Sequence, residues 1–121
     1  MATLVLALHA APAADAPAHY RSLLAYHYAQ AALVSGHRIE MIFFYGEAVL
    51  HAAAPESPEA ATLIEQWQHL AQHHQIPLVV CPTYAETHYQ LDTEQLPPLF
   101  TAGGLTEFSQ AVARVDRVIQ F

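Results

Sequence analysis

A chain of 121 residues with a net charge of −7, four arginines and no lysine has the length of one domain, residues 1–121, and no cationic surface for direct nucleic acid binding. Charged residues make up only 12% of the chain and hydrophobic residues 54%, which predicts that an oligomer covers part of the surface. The chain has no long apolar run, no basic leader and one cysteine, so we expect a cytoplasmic protein without membrane association.

The first third of the chain predicts a strand, a loop and a helix. TLVLAL, residues 3–8, is typical of a buried strand, and the proline-broken segment 9–19 is typical of a loop. Residues 18–35 have a helical pattern that ends at Gly36, a favourable C-terminal cap. The pattern places the following apolar residues on one face of this helix: Tyr20, Leu24, Ala31 and Val34.

A second strand and a second long helix follow. RIEMIFFY, residues 38–45, predicts the strand, and GEAVLHAAAP makes an excursion toward Ser57, which caps a helix with Pro58 in its first turn. This helix ends before Pro77. Its residues at spacings of three and four predict one stripe toward the core: Leu63, Trp67, Leu70 and His74.

The last third predicts shorter elements. Residues 78–80, 99–102 and 117–121 predict strands, residues 82–89 a short helix, and Leu105, Phe108, Val112 and Val115 a last helix. Continuous apolar strands separated by helices are typical of a parallel sheet covered on both faces. We therefore predict an α/β fold, a three-layer α/β/α sandwich with a parallel sheet.

Cys81 is the candidate catalytic residue. It follows the third predicted strand and precedes Pro82, so it occupies the N-cap of a helix at the carboxyl edge of the sheet, where ligands of such sheets bind. The free amides of Thr83 and Tyr84 and the helix dipole would point at the sulfur and favour thiolate, the nucleophilic form. Alternatively, Cys81 packs as a small hydrophobic residue.

Histidines suggest weaker alternatives. His69, His73 and His74 include a helical i, i+4 pair that could bind one metal ion from one face of the helix. Two ligands are too few for a metal site, so we predict no metal. A cysteine hydrolase or isomerase would need a histidine beside Cys81. His88 is two helical turns away, whereas His9, His19 and His27 could approach from the first strand and helix. The first loop lacks glycine, which disfavours a phosphate-binding site, and we expect no cofactor.

Four segments carry a resemblance to a known family. FFYGEAVLHA (43–52), the cysteine after the third strand, GGL (103–105) and the terminal DRVIQF (116–121) together resemble the TusD/DsrE family of sulfur-relay subunits. The segments occur in the family's order over nearly the whole chain. The resemblance implies a single DsrE-like domain with a five-stranded parallel sheet.

The same resemblance implies a persulfide-carrying sulfurtransferase. Cys81 would accept sulfur from a TusA-like donor and pass it to a TusE-like acceptor, for synthesis of 2-thiouridine at the tRNA wobble position. The implied partners are TusB-like and TusC-like subunits in a dimer of heterotrimers; a homo-oligomer is the alternative. A DsrE-like role in sulfur oxidation and a non-catalytic assembly subunit are alternative functions.

Overall fold

The computed structural model describes residues 1–13 and 18–121, without the side chains of Ala18 and His19. Five strands are present: β1 Thr3–Leu8, β2 Arg38–Phe44, β3 Leu78–Val80, β4 Phe100–Ala102 and β5 Arg117–Gln120. The helices are α1 Ala18–Val34, α2 Pro58–His74, α3 Pro82–Tyr89 and α4 Leu105–Val112, with a 3-10 helix at Gly46–Ala52. No helix in these ranges is both long and apolar enough to cross a membrane.

The strands form one all-parallel sheet in the order β4-β3-β2-β1-β5. The chain begins at β1, moves outward through β2 and β3 to β4, and returns on the other side of β1 as β5. Each return to a parallel neighbour needs a crossover, and the predicted helices supply these connections. The α/β fold class with a five-stranded parallel sheet is confirmed.

Neighbouring residues of β2 pack toward opposite helical layers. Phe44 contacts Trp67 of α2, with ring centroids 6.0 Å apart, whereas Phe43 stacks on Phe108 of α4 at 4.7 Å. Side chains alternate between the two faces of a strand, so α2 and α4 lie on opposite faces. Trp67 is fully buried and also meets Tyr26 of α1 edge to face at 5.3 Å. These contacts give the predicted three layers.

The predicted face of α1 is solvent-exposed. Tyr20, Leu24 and Val34 are 66%, 58% and 88% exposed, and Ala31 is also exposed. The buried face consists mostly of small residues: Ser22, Ala25, Tyr26, Ala29 and Ala32. Small side chains let a helix approach a sheet closely, and the larger residues Tyr20, Leu24 and Val34 lie on the outer face of α1.

Other differences concern element ends. His74 is exposed, although Leu63, Trp67 and Leu70 of the predicted α2 stripe are buried. It lies in the last turn of α2, beyond the part that packs on the core. The excursion after β2 is the 3-10 helix, and α4 ends before Val115. The predicted loop at 9–19 lies partly outside the described residues.

Candidate active site

The carboxyl ends of four strands meet in register at one edge of the sheet. Each first residue beyond a strand donates its backbone N–H to the neighbouring strand: Tyr45 to Leu8 O (3.0 Å), Cys81 to Phe44 O (3.1 Å) and Gly103 to Val80 O (3.0 Å). His9 extends the row through a 2.9 Å bond to Phe121 O. The sheet ladder therefore brings His9, Tyr45, Cys81 and Gly103 together from distant parts of the sequence.

Cys81 is the N-cap residue of α3, as predicted. Its backbone is extended, with φ −66° and ψ 111°, and Pro82 occupies the first helical turn. Its carbonyl accepts the N–H of Ala85 at 3.1 Å, the first bond of the helix. Cys81 thus belongs to the sheet through its N–H and to the helix through its C=O, which fixes its backbone.

Cys81 borders a cleft of about 590 Å³. The cleft lies between one side of α3 and the first turn of α4, beside the end of β2. Its lining residues are Tyr45, Cys81, Thr83, Tyr84, Thr87, His88, Gly104, Leu105 and Thr106. A second cavity, of about 510 Å³, includes His37, Arg38 and Pro77 at the opposite edge of the sheet and does not include the thiol.

The cysteine is more buried than the N-cap interpretation implies. Cys81 is only 4% exposed, and its side chain packs with the hydrophobic core. Its side chain makes no capping hydrogen bond, and an effect of the amides of Thr83 and Tyr84 on the sulfur stays a prediction. The backbone N–H of Cys81 continues the hydrogen bonding of the sheet, and its side chain packs against the hydrophobic core. Thr83 and Tyr84 nevertheless line the same cleft.

The two glycines of GGL let the chain pass close beneath the cleft. A Cβ atom on Gly103 would lie 2.6 Å from Cγ1 of Val79, closer than two carbon atoms can approach. Gly104 borders the cleft and donates its N–H to the carboxylate of Glu107 at 2.8 Å, which closes the start of α4. The close passage of Gly103 explains why this position requires glycine.

Aromatic rings form one wall of the cleft. Tyr84 packs against Tyr45, with centroids 5.5 Å apart, and stacks nearly parallel on His88 at 3.8 Å with an interplanar angle of 8°. Tyr89 lies behind Tyr84 at 6.2 Å. Burial raises the pKa of the Tyr89 hydroxyl, and the carboxylate of Glu47 and Tyr84 raise it further. This wall therefore offers stacking surfaces, and Tyr89 behind it stays an uncharged phenol near neutral pH.

The candidate histidine partners of Cys81 lie in different places. His88 borders the cleft, although its ring stacks on Tyr84. His9 packs edge-on against Tyr45 at 5.9 Å, and His27 is exposed beside Tyr26. The side chain of His19 lies outside the described residues. A cysteine hydrolase requires a histidine that hydrogen-bonds to the catalytic sulfur. Among the described residues, no histidine makes such a bond to Cys81.

The three histidines of α2 lie at its exposed C-terminal end. His69, His73 and His74 border a shallow cavity with Tyr26, and the rings of His73 and His74 meet edge to face at 4.7 Å. Within residues 1–13 and 18–121, no group of three or more histidine, cysteine or acidic residues is arranged to hold a metal ion.

A buried polar pair behind the site was missed by sequence reasoning. His51, in the 3-10 helix that follows Tyr45, is fully buried and donates from Nδ1 to the carbonyl of Ala48 at 2.7 Å. A carbonyl can only accept, so Nε2 is left to accept the hydroxyl of Ser22 at 2.7 Å. The pair joins α1 to the segment after β2. The sequence signal for this pair was the histidine within the segment FFYGEAVLHA.

Comparisons with known proteins agree on one family. The profile of the DsrE/DsrF-like family matches residues 11–121. Sulfurtransferase TusD of Pectobacterium carotovorum subsp. carotovorum (strain PC1) is 40% identical over 106 residues, 78% of this chain and 82% of its own. The TusD homolog of Vibrio cholerae serotype O1 is 33% identical over 109 residues, 80% and 83% of the two chains. The crystal structure of the ychN protein from E. coli shares the fold over both complete chains, with a TM-score of 0.75 and 21% identity.

Proposed function

This chain belongs to the DsrE/DsrF-like family and is a sulfurtransferase, and we propose that it carries sulfur as a persulfide on Cys81. The observation that supports this role is the position of Cys81 at the border of a cleft, at the junction of β3 and α3. Thr83 and Tyr84 are proposed as supporting residues that border the sulfur's access route. Residues 1–121 are proposed to act as one domain.

The proposed reaction is two successive thiol exchanges. The Cys81 thiolate attacks the outer sulfur of a donor persulfide, so that a new S–S bond forms at Cys81. The donor's S–S bond breaks, its electron pair stays on the donor cysteine as thiolate, and Cys81 becomes Cys–S–SH. An acceptor thiolate then attacks the outer sulfur of Cys81 in the same way. Each step breaks one S–S bond and forms another, so neither step needs an oxidant, a reductant or a cofactor.

Burial at the edge of a cleft suits a carrier that must protect its cargo. Cys81 is 4% exposed, so small thiols in solution have little access to a persulfide there. The backbone bonds to Phe44 and Ala85 hold the cysteine in place, so a donor must bring its sulfur into the cleft. We infer that transfer takes place only with partners whose reactive segment fits that space.

The proposed partners follow from the TusD relatives. A TusA-like protein would donate sulfur and a TusE-like protein would accept it, in a relay that ends with 2-thiouridine in tRNA. TusB-like and TusC-like subunits would complete the complex; a homo-oligomer is the alternative. A DsrE-like carrier in sulfur oxidation would use the same cysteine chemistry with another donor and acceptor, so donor identity distinguishes the two functions.

Sulfur loading tests the carrier proposal directly. The purified chain is incubated with a cysteine desulfurase, cysteine and a TusA-like carrier, and its intact mass is measured. We expect a gain of one sulfur atom that a reducing thiol removes once the protein is unfolded, and peptide mapping should locate it on Cys81. An unchanged mass with a donor shown to be loaded would contradict the proposal.

Substitution of the cysteine distinguishes a carrier from an assembly subunit. Cys81→Ser should keep the circular dichroism spectrum of the wild type but gain no sulfur. In the reconstituted complex, Cys81→Ala should abolish transfer to the acceptor. If Cys81→Ala leaves transfer intact and the thiol resists alkylation, the chain is a non-catalytic assembly subunit instead.

A further inference from the structure

The cleft beside Cys81 has one residue that can become cationic near neutral pH. Among its lining residues in the described part of the chain, only His88 can do so. The chain has no lysine, Arg38 pairs with Glu40 at 3.0 Å, and Arg21 borders a different cavity. Arg114 and Arg117 lie beyond the end of α4 and are exposed. Among the described lining residues, His88 is therefore the side chain that can offer positive charge to an anion in this cleft.

His88 lies on the same side of α3 as the cysteine. Cys81, Tyr84 and His88 are spaced by three and four residues, the spacing that brings side chains onto one helical face. All three border the cleft. Seven residues of helix correspond to a rise of about 10 Å. His88 can therefore contact a second position on a molecule that reaches the sulfur.

Stacking on Tyr84 holds the imidazole of His88 at the cleft wall although the residue is exposed. The two rings are nearly parallel, with centroids 3.8 Å apart. A cationic ring over the face of a tyrosine is stabilised by the electrons of that face. The stack therefore orients the imidazole of His88 at the cleft wall.

The titratable groups around His88 lie on α3, at the end of β2 and on the 3-10 helix, where the carboxylate of Glu47 interacts with Tyr89. On α3 they are Tyr84 and Tyr89, whose rings lie 3.8 Å and 6.5 Å from it, and Glu86, whose carboxylate accepts the hydroxyl of Thr93 at 3.0 Å. Tyr45 faces the same cleft from the end of β2, and the residues of α4 that border it are uncharged. No carboxylate is among the described lining residues.

We propose that His88 is a binding residue that selects sulfur donors or acceptors with a carboxylate about three residues from their reactive cysteine. An extended peptide spans about 3.3–3.6 Å per residue, so three residues match the separation along α3. Histidine is the side chain type that changes charge between pH 5 and 8, so the selection is tested at pH 6 and pH 8. This inference rests on the proposed role of Cys81 and adds the chemistry of its partner.

Short disulfide-activated peptides test the proposal without a sulfur donor. The probe is acetyl-Cys-Gly-Gly-Glu-amide, its cysteine joined through a disulfide to 5-nitropyridine-2-thiol, a leaving group without a carboxylate. Cys81 thiolate attacks the peptide sulfur, the new disulfide forms, and the coloured thiolate leaves. The matched probe carries Gln in place of Glu. The ratio of the two rates cancels the pH dependence of the Cys81 thiol itself.

At pH 6 we expect the Glu probe to react faster than the Gln probe by about twofold to fivefold, the usual range for an exposed ion pair. At pH 8 the ratio should approach one. His88→Gln should give a ratio near one at both pH values, and a probe with Glu directly after Cys should show less preference. The control His74→Gln, an exposed histidine on α2, should behave as the wild type.

Two results would overturn the inference: equal rates for the two probes with the wild type at pH 6, or an unchanged preference in His88→Gln. Both concern only the ratio of two rates. Loading of Cys81 by a desulfurase is measured separately, so failure of the carrier proposal can be distinguished from failure of the His88 inference.

Discussion

At the scale of single residues, His51 is the buried group whose ionisation opposes folding. Burial lowers the pKa of His51 from 6.5 to about 4, against the hydrogen bond to Ala48, which raises it. The folded protein therefore binds fewer protons than the unfolded chain between these pH values. The stabilisation is complete above pH 6.5 and is lost as the pH falls toward 4.

We predict that the free energy of unfolding falls by up to about 3 kcal/mol between pH 7 and pH 4 because His51 must remain neutral in the folded state. Urea unfolding curves at several pH values measure this. The hydrogen bonds from Thr3 lower the pKa of Asp116 below its ordinary 3.8, so Asp116 contributes mainly below this window.

Two variants separate His51 from the other titrating groups. His51→Gln should be less stable at pH 7 but should lose most of the pH dependence between 6.5 and 4. His74→Gln, at the exposed end of α2, should keep the dependence of the wild type. A wild-type curve that is flat in this range would show that His51 is not kept neutral by burial.

At the scale of elements, α2 ends on a residue in a conformation that suits glycine. Gln75 has φ 57° and ψ 48°, and its N–H bonds to the carbonyl of Ala71. A left-handed residue with a Cβ atom costs about 1 kcal/mol relative to glycine. The short helix α3 ends in the same way at Gln90.

We predict that Gln75→Gly stabilises the protein by roughly 0.5–1 kcal/mol, because glycine adopts this conformation without strain. Gln72→Gly, at an exposed position inside the same helix, should instead destabilise it by about 1 kcal/mol. Thermal or urea unfolding of the two variants measures both effects. Destabilisation by both would mean that the Gln75 side chain stabilises the helix end.

Most elements could be predicted from local sequence, but the orientation of α1 could not. Pro58 after Ser57, and Pro82 after Cys81, mark the starts of α2 and α3 as the structure has them. In α1 the buried positions are mostly small and the exposed positions include Tyr20 and Leu24, so a search for large apolar residues selects the outer face. The distance at which α1 packs on the sheet decides which face of the helix is buried, and local sequence patterns do not reveal that distance.

The candidate site could be predicted only in part, for a related reason. Cys81 and its N-cap position follow from residues that are adjacent in the chain. Tyr45 and Gly104 reach the cleft through the strand order, which local patterns do not determine. The stack of His88 on Tyr84 depends on side-chain direction, so distance along the helix axis alone did not place His88 at the cleft.

At the scale of the whole molecule, the charge distribution fits a carrier that does not hold nucleic acid. The net charge is −7, the four arginines are the only strongly basic side chains, and one of them is paired with Glu40. Phosphate backbones are bound mainly by clustered lysine and arginine. Oligomerisation stays a prediction from the low charged fraction, and the exposed apolar face of α1 is consistent with it.

We predict that the isolated chain does not bind tRNA, because binding depends on neutralising phosphates. Filter binding or electrophoretic mobility, measured near 50 mM salt and at micromolar protein, should show no complex. Low salt is the condition that most favours protein binding to phosphates. An unrelated basic tRNA-binding protein serves as the positive control. A complex that dissociates as salt is raised would contradict the prediction.

The burial of Trp67 supplies an optical reporter of this architecture. It is the only tryptophan of the chain, and its indole N–H has no hydrogen-bond partner within the described residues. Its emission should therefore be that of an indole in an apolar environment and should shift to longer wavelength when the layers separate. The ring of Phe44 touches this fluorophore, while the carbonyl of Phe44 holds the backbone of Cys81. Fluorescence can thus follow, without any label, the integrity of the layer directly behind the thiol.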